Sequence, residues 1–290
     1  MHKGIAKKTV PDFFYARYKM AKKFEDLTFG DDWMFQAVLR EPNVCAELVE
    51  LLLGIKIKRV EYPELEKVIE PFYTTKGVRL DVYLKDEDKV IDVELQSYEM
   101  SAFGKRMRYY EAMLDMDALM KGEPYDKLKD SYILFICKND PFKDKNEKSF
   151  GLPRYSFRNV CQENNYVNLD DKSLKVIYNA TAYEKEKDER VKALLRFVQT
   201  NESGEDGLTN RLAALVKKMK ENEELRQEYM AMNLHDYDMI RKGRKEGAVE
   251  VARNMLKKNY PTSDIVDITG LPLDEVLALK QQMATETATA

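Results

Sequence analysis

Apolar residues recur at helical spacing near the start of the chain, which predicts two helices there. The first runs from residue 31 or 32 to 39, and the second covers residues 43–53. Pro42 separates them, and Gly54 is suited to end the second. Residues 55–71 alternate only weakly, so their pattern leaves a strand and an irregular connection both open.

Two strand-length apolar runs follow, VRLDVYL and VIDVELQ, joined by the charged turn KDEDK at residues 85–89. Their alternation is typical of a β-hairpin. A helix is predicted next, over residues 103–122, because apolar side chains recur there with a period near 3.6. Further strand-like runs are SYILFICK (131–138), YSFRNVC (155–161) and LKVIYNA (174–180).

From residue 184 onward the sequence changes to charged amphipathic helices. We therefore expect a domain boundary near residue 182, with an α/β domain before it and an α-helical region after it. The predicted divisions are an N-terminal arm (1–23), the α/β domain (24–182), a charged helical linker (183–240) and a small helical C-terminal module (241–290).

Composition excludes several classes of protein. The chain has 290 residues, of which 34% are charged, and its formal net charge is -3, which argues against non-specific coating of nucleic acid. Its three cysteines are far apart, so neither a disulfide framework nor zinc spacing is visible, and a reducing, cytoplasmic setting is expected. No signal peptide and no membrane span are predicted.

The hairpin carries acids inside its strands, where carboxylates are costly to bury unless something binds them. The turn predicts that Asp81 lies opposite Glu94, with Cβ atoms about 4.5–5.5 Å apart, and that Gln96 lies one pleat away on the same face. Two such carboxylates repel unless one is protonated or a cation lies between them. Oxygen ligands of this kind suit Mg²⁺ or Mn²⁺ rather than zinc.

An ordinary hairpin with one solvated, acidic face explains the alternation equally well. Two details favour a site. The turn already supplies acids for solubility, at residues 86–88, and the helix that follows is basic, with Lys105, Arg106 and Arg108.

The order of these elements resembles the core of the PD-(D/E)XK nuclease superfamily. More narrowly, the chain resembles the Rpn family of recombination-promoting nucleases, also described as PD-(D/E)XK family transposases. The resemblance covers residues 24–182 and about the last 45 residues. It implies a restriction-endonuclease-like core with a mixed central sheet flanked by helices. The matching stretches are LTFGDDWMFQAVL, GVRLDVYL, VIDVELQ, KRMRYYEAMLDMDALMKGEPYDKLKDSYILFIC and RNMLKKNYPTSDIVDITGLPLDEVLALK.

The resemblance also implies roles for individual residues. Asp81 and Glu94 match the metal-binding acids of the core strands, and Gln96 stands where the superfamily usually has lysine. Glutamine cannot act as a base, so Lys105 on the next helix is a candidate for the missing positive charge. Asp32, or its neighbour on the N-terminal side, matches an acid that the first core helix often adds to the metal site.

Three residues of the basic helix combine phosphate-binding and base-stacking side chains, namely Arg106, Arg108 and Tyr109. The expected function is therefore a Mg²⁺- or Mn²⁺-dependent DNA endonuclease in recombination, transposition or defence, without a small-molecule cofactor. The alternative is a DNA-binding or scaffold protein that retains the nuclease fold but cleaves weakly or not at all. A nuclease directed at RNA is a third possibility.

The C-terminal module has a pattern similar to helix-turn-helix, with a turn at Gly270. Asp274 and Glu275 stand at the start of its second helix, where acids disfavour contact with phosphates. A DNA reader and a partner-binding module both remain open, and we expect a homodimer formed through the C-terminal helices.

Overall fold

The computed structural model describes residues 22–58, 64–69, 77–204 and 207–288. Its internal contacts divide the described chain into two compact units. The larger unit comprises residues 25–223. The smaller unit joins residues 22–24 to the chain from Glu224 onward. Most of the predicted N-terminal arm lies outside the described residues.

The larger unit is an α/β domain built on one mixed sheet. In the part of the chain that the structure describes, the sheet has six strands in the order β1-β2-β3-β4-β6-β5. β3, β4 and β6 are parallel, whereas the other neighbouring pairs are antiparallel. The strands are β1 (Glu64–Ile69), β2 (Val78–Lys85), β3 (Lys89–Gln96), β4 (Asp130–Cys137), β5 (Arg154–Phe157) and β6 (Ser173–Asn179).

Within the described residues of this unit, five α-helices pack around the sheet or against one another. They are α1 (Asp32–Leu39), α2 (Pro42–Leu53), α3 (Phe103–Ala118), α4 (Glu189–Thr200) and α5 (Gly207–Lys220). Short 3-10 helices occupy Phe24–Asp26, Tyr125–Lys127 and Ala180–Lys185. The predicted fold class, a mixed central sheet flanked by helices and followed by a helical region, is confirmed. α3 ends four residues before its predicted end, because Leu119 is already extended.

α3 covers the sheet with its apolar stripe. Met107, Met113 and Leu114 from the helix pack with Ile133 and Phe135 of β4 in one buried cluster. The ring of Phe103 meets Phe135 edge to face at 4.9 Å. This packing fixes the rotation of α3 about its axis and so decides which of its basic residues face the sheet.

α4 and α5 belong to this same unit, so the predicted boundary near residue 182 differs from the structure, which divides the chain after Glu223. The reason is that the apolar stripe of α4 is buried in the domain core. Phe197 stacks on Phe29 at 5.5 Å, and Leu194 is fully buried. Charged residues on the outer face of α4 gave it the composition of a linker, but burial assigns it to the domain.

Strict alternation fails in the middle of β2. Leu80 and Tyr83 would point to opposite faces of a regular strand, yet both belong to the buried cluster under α3. Tyr83 also donates from its hydroxyl group to Asp117 of α3, at 3.5 Å. The strand is therefore irregular between these two residues, which is where Asp81 stands.

The smaller unit is helical. It contains α6 (Glu223–Lys257, which begins at the division between the units), α7 (Thr262–Thr269) and α8 (Leu273–Ala288). Gly270 ends α7 in the left-handed region, with φ at 69°. Ala252, Ile265, Leu271 and Val276 form a small core that joins α6 to α7 and α8. Tyr229 of α6 packs its ring on Phe24, at 5.7 Å between centroids.

None of the helices in the described ranges combines the length and the apolar character that crossing a membrane requires.

Candidate active site

Asp81 and Glu94 bridge β2 and β3 where the backbone pairing of these strands ends. The paired register runs from Lys85–Val90 to Val82–Val93, and its next position places Asp81 opposite Glu94. Glu94 Oε1 accepts a hydrogen bond from the Asp81 backbone N–H at 2.9 Å. In return, Asp81 Oδ2 accepts from the Leu95 backbone N–H at 3.2 Å. Each carboxylate is therefore oriented by the main chain of the neighbouring strand.

α1 brings two polar side chains to this pair. Gln36 donates from Nε2 to Asp81 Oδ1 at 3.0 Å. One helical turn earlier, Asp32 accepts from Ser97 Oγ at 3.3 Å, and Ser97 directly follows β3. The sequence left open which of two adjacent acids belongs to the site. Asp31 instead accepts from the backbone N–H and the hydroxyl group of Thr28, which stabilises the turn before α1.

Arg106 is the basic residue of α3 that reaches the acids. Its guanidinium donates to Glu94 Oε2 at 3.0 Å and to Gln96 Oε1 at 3.4 Å. Its Nε donates to the hydroxyl group of Tyr110 at 2.7 Å, one turn along the helix. The sequence assigned Arg106 to DNA contact, whereas the structure places it inside the carboxylate cluster.

Gln96 is buried and held at both ends of its amide group. Its Oε1 faces Arg106, and its Nε2 donates to the backbone carbonyl of Tyr98 at 2.7 Å. A neutral amide has no group that can remove a proton from water. The geometry gives Gln96 a positioning task toward Arg106.

Lys105 is exposed, and within the described residues no hydrogen bond or ion pair joins it to an acid of the site. It is one residue before Arg106, which is about 100° around the helix. The structure therefore does not bring this sequence candidate to the carboxylates. Arg108 is exposed on the same helix and Tyr109 is partly exposed, so both remain available at the surface beside the site.

Burial dominates the electrostatics of the cluster. It raises the pKa of Asp81 to about 6, and the charge on Asp32 adds to this effect. Burial, followed by the charges of Asp92 and Asp81, raises the pKa of Glu94 well above its usual value. Burial also raises the pKa of Asp32. A cluster of this kind is costly without a cation and attracts one.

Asp92 is a fourth acid that sequence reasoning did not single out. It lies two residues before Glu94, is fully buried, and neither of its carboxyl oxygens has a hydrogen-bond partner in the described residues. Burial and then the charge of Asp81 raise its pKa well above the usual value. The alternation of β3 was the available signal, because it places Asp92 and Glu94 on one face. Gln36 was also missed, although a polar residue inside the buried run MFQAVL was a usable signal.

The oxygen atoms of these side chains suit a hard divalent cation but supply only part of its coordination shell. Among the residues that the structure describes, no group of three or more acid, histidine or cysteine side chains is arranged to hold a metal ion. Mg²⁺, however, is commonly bound through one or two carboxylates, with waters and substrate phosphates completing its shell. Asp81 and Glu94 supply two, and Asp32 Oδ1 is buried without a hydrogen-bond partner. The residues therefore fit a partly hydrated ion rather than a closed protein cage.

An α/β domain that gathers carboxylates on two adjacent strands of its sheet, beside a basic helix, has the architecture of a nuclease. The chain belongs to the PD-(D/E)XK nuclease family transposases, since the model of that family matches residues 30–246. Membership indicates a nuclease- or transposase-related protein, with DNA as the substrate class and divalent metals as the usual cofactors of such nucleases. A search of curated proteins and a search of solved structures each found no match.

Proposed function

We propose that this chain is a metal-dependent DNA endonuclease that hydrolyses phosphodiester bonds in recombination, transposition or defence. The observation that carries the proposal is the reciprocal hydrogen bonding of Asp81 and Glu94 across the end of the β2–β3 pairing. A hairpin with a merely solvated acidic face would leave these carboxylates exposed. Here Glu94 is 2% exposed and lies among other acids, an arrangement that costs stability and is retained where it serves a site.

Asp81 and Glu94 would hold the metal, Mg²⁺ or Mn²⁺, with Asp32 beside them. A bound ion of this type offsets the negative charge of a phosphodiester and lowers the pKa of water. Gln36 fixes the orientation of Asp81, and Arg106 fixes Glu94 and helps to keep it ionised. Gln96 holds Arg106 through its carbonyl oxygen.

DNA would approach over the surface of α3. Arg108 offers a charge to phosphates, and Tyr109 offers a ring to bases. Lys105 extends the same basic surface, so its contribution would be to DNA binding rather than to the chemistry. This surface follows directly from the packing of α3, which turns Arg106 inward and its two flanking cations outward.

Plasmid cleavage tests the proposal. Supercoiled DNA is incubated with the full chain and Mg²⁺ or Mn²⁺, with Asp81→Asn, Glu94→Gln and a matched Glu87→Gln control. Glu87 lies in the turn of the same hairpin and is exposed. We expect nicking by the wild type and the control, and loss of nicking in the two site variants. Equal nicking by all four proteins would remove this site from the mechanism.

Metal binding can be measured without any reaction. Trp33 is the single tryptophan of the chain and directly follows Asp32. Paramagnetic Mn²⁺ should therefore quench its fluorescence in the wild type and the Glu87→Gln control at lower concentrations than in Asp81→Asn. Identical titrations would contradict the assigned metal ligands.

A wild type that binds DNA but cleaves neither DNA nor RNA with any divalent metal would favour the scaffold alternative. The ion pair of Glu94 with Arg106 supports this scaffold alternative, because it neutralises one of the two proposed metal ligands. Cleavage of RNA in preference to matched DNA would instead redirect the substrate assignment. A cytoplasmic location and a homodimer through the C-terminal helices stay predictions.

A further inference from the structure

Arg106 is not the sole cation near the acids in the described part of the chain, since Arg79 also acts on Asp81. Another is Lys138, which directly follows β4 and is partly buried. Its backbone N–H donates to the carbonyl oxygen of Gln96 at 2.9 Å. The parallel register of β3 with β4 therefore delivers Lys138 to the same edge of the sheet as Gln96 and Ser97.

The side chain of Lys138 lies against the turn that leads into α1. A Cβ atom added to Gly30 would lie 3.0 Å from Lys138 Nζ and 2.3 Å from the backbone oxygen of Val198. Gly30 is thus the residue that leaves room for the lysine amine, two positions before Asp32.

Hydrolysis of a phosphodiester increases the negative charge on the reacting group, and that group must enter a cluster of acids here. Enzymes offset such charge with positioned cations. The guanidinium of Arg106 is already engaged by Glu94, Gln96 and the hydroxyl group of Tyr110. Lys138 supplies another cation at the edge of the sheet where Gln96 ends β3.

We propose that Lys138 is a phosphate-binding residue of this site, whose ammonium group contacts a non-bridging oxygen of the scissile phosphodiester. The proposal rests on the proposed function. It involves no proton transfer by the lysine, only charge and position. The turn at Gly30 leaves the space in which the amine lies, at the edge of the cluster.

The test compares Lys138→Met, Lys138→Arg and a control, Lys145→Met, in the full chain. Lys145 is exposed in the loop that follows β4. We expect Lys138→Met to lower the cleavage rate about 100- to 1,000-fold, in the range known for the loss of one positioned donor. Lys138→Arg should recover part of that rate because it keeps the charge, and the control should cleave like the wild type. DNA affinity in Ca²⁺ should weaken by no more than about tenfold in Lys138→Met.

Mn²⁺ affinity, measured by calorimetry without DNA, separates this role from a structural one. Removing a positive charge beside the acids should tighten Mn²⁺ binding about three- to tenfold in Lys138→Met, while its cleavage falls. A merely structural lysine would leave the metal site unchanged or weaken it, and arginine would not rescue cleavage.

Two results would overturn the proposal while leaving the proposed function intact. One is a wild type that cleaves and a Lys138→Met variant that cleaves equally well. The other is unchanged or weakened Mn²⁺ binding in that variant. A strong loss of cleavage in Lys105→Met, without a loss in Lys138→Met, would instead assign the phosphate contact to Lys105 of α3. A wild type without cleavage in any metal would instead remove the proposed function, and the role of Lys138 with it.

Discussion

Gln36 of α1 donates a hydrogen bond of 3.0 Å to Asp81 of β2, which lies 45 residues further along the chain. Replacing Gln36 with leucine leaves one partly buried oxygen of Asp81 without that donor. We expect the free energy of unfolding at pH 8 to fall by about 1–3 kcal/mol, the usual cost of a buried unsatisfied group. Urea unfolding measures it.

The same variant should lose less stability at pH 4.5, because Asp81, with a pKa of about 6, is then protonated and needs the donor less. An equal loss at both pH values would mean that Gln36 acts through packing alone.

Asp81 should make stability depend on pH in the absence of metal. Its pKa is about 6 in the folded protein, against an ordinary value of 3.8, so the folded state binds the proton more tightly. The stabilisation contributed by protonated Asp81 is therefore fully present below pH 3.8 and is lost as the pH rises through about 6. The two pKa values correspond to a loss on the order of 3 kcal/mol at pH 7.

Asp81→Asn removes this titration. Thermal unfolding in EDTA should show the variant more stable than the wild type at pH 7, with the difference vanishing near pH 3.5. A variant that is less stable at pH 7, with an unchanged pH dependence, would contradict the assignment.

Arg106 and Arg108 stand two positions apart on α3 but should behave oppositely. Arg106→Met leaves Glu94 buried without its ion-pair partner, which should cost about 3 kcal/mol of stability. Arg108→Met is the matched control and should change stability by less than about 0.5 kcal/mol. In DNA binding, Arg108→Met should reduce the salt dependence by about one phosphate contact.

Chemical denaturation and fluorescence anisotropy at several salt concentrations check the two effects separately. If Arg106→Met unfolds like the control, the ion pair with Glu94 does not form in solution.

Gly30 and Gly104 should differ in their tolerance of alanine. A Cβ at Gly30 meets the backbone oxygen of Val198 at 2.3 Å, so the chain must shift, at a cost of about 1–3 kcal/mol. Gly104 lies in α3 with nothing within 4 Å of the added atom. Alanine there should be neutral or should stabilise by up to about 1 kcal/mol. Melting temperatures of the two variants give the comparison. Equal values would mean that Gly30 does not lie this close to Val198 in solution.

Much of the fold could be predicted from local patterns. Helices α1, α2 and α3 and the strands of the hairpin were expected close to where they lie, because hydrophobic periodicity records which face of a short segment is buried. β1 was left ambiguous, since its pattern is weak. The assignment of α4 to a linker failed because charged outer residues give a buried helix and a solvated one similar compositions.

The features of the candidate site likewise divide into those that local sequence predicts and those that long-range packing sets. That Asp81 and Glu94 face each other could be predicted from the hairpin alone, because a tight turn fixes its register. Long-range packing then selects Arg106 rather than Lys105 and Asp32 rather than Asp31. It also brings Gln36 to Asp81 and places Lys138 beside Gly30. The rotation of a helix and the meeting of distant segments depend on long-range packing of the core, which local periodicity does not encode.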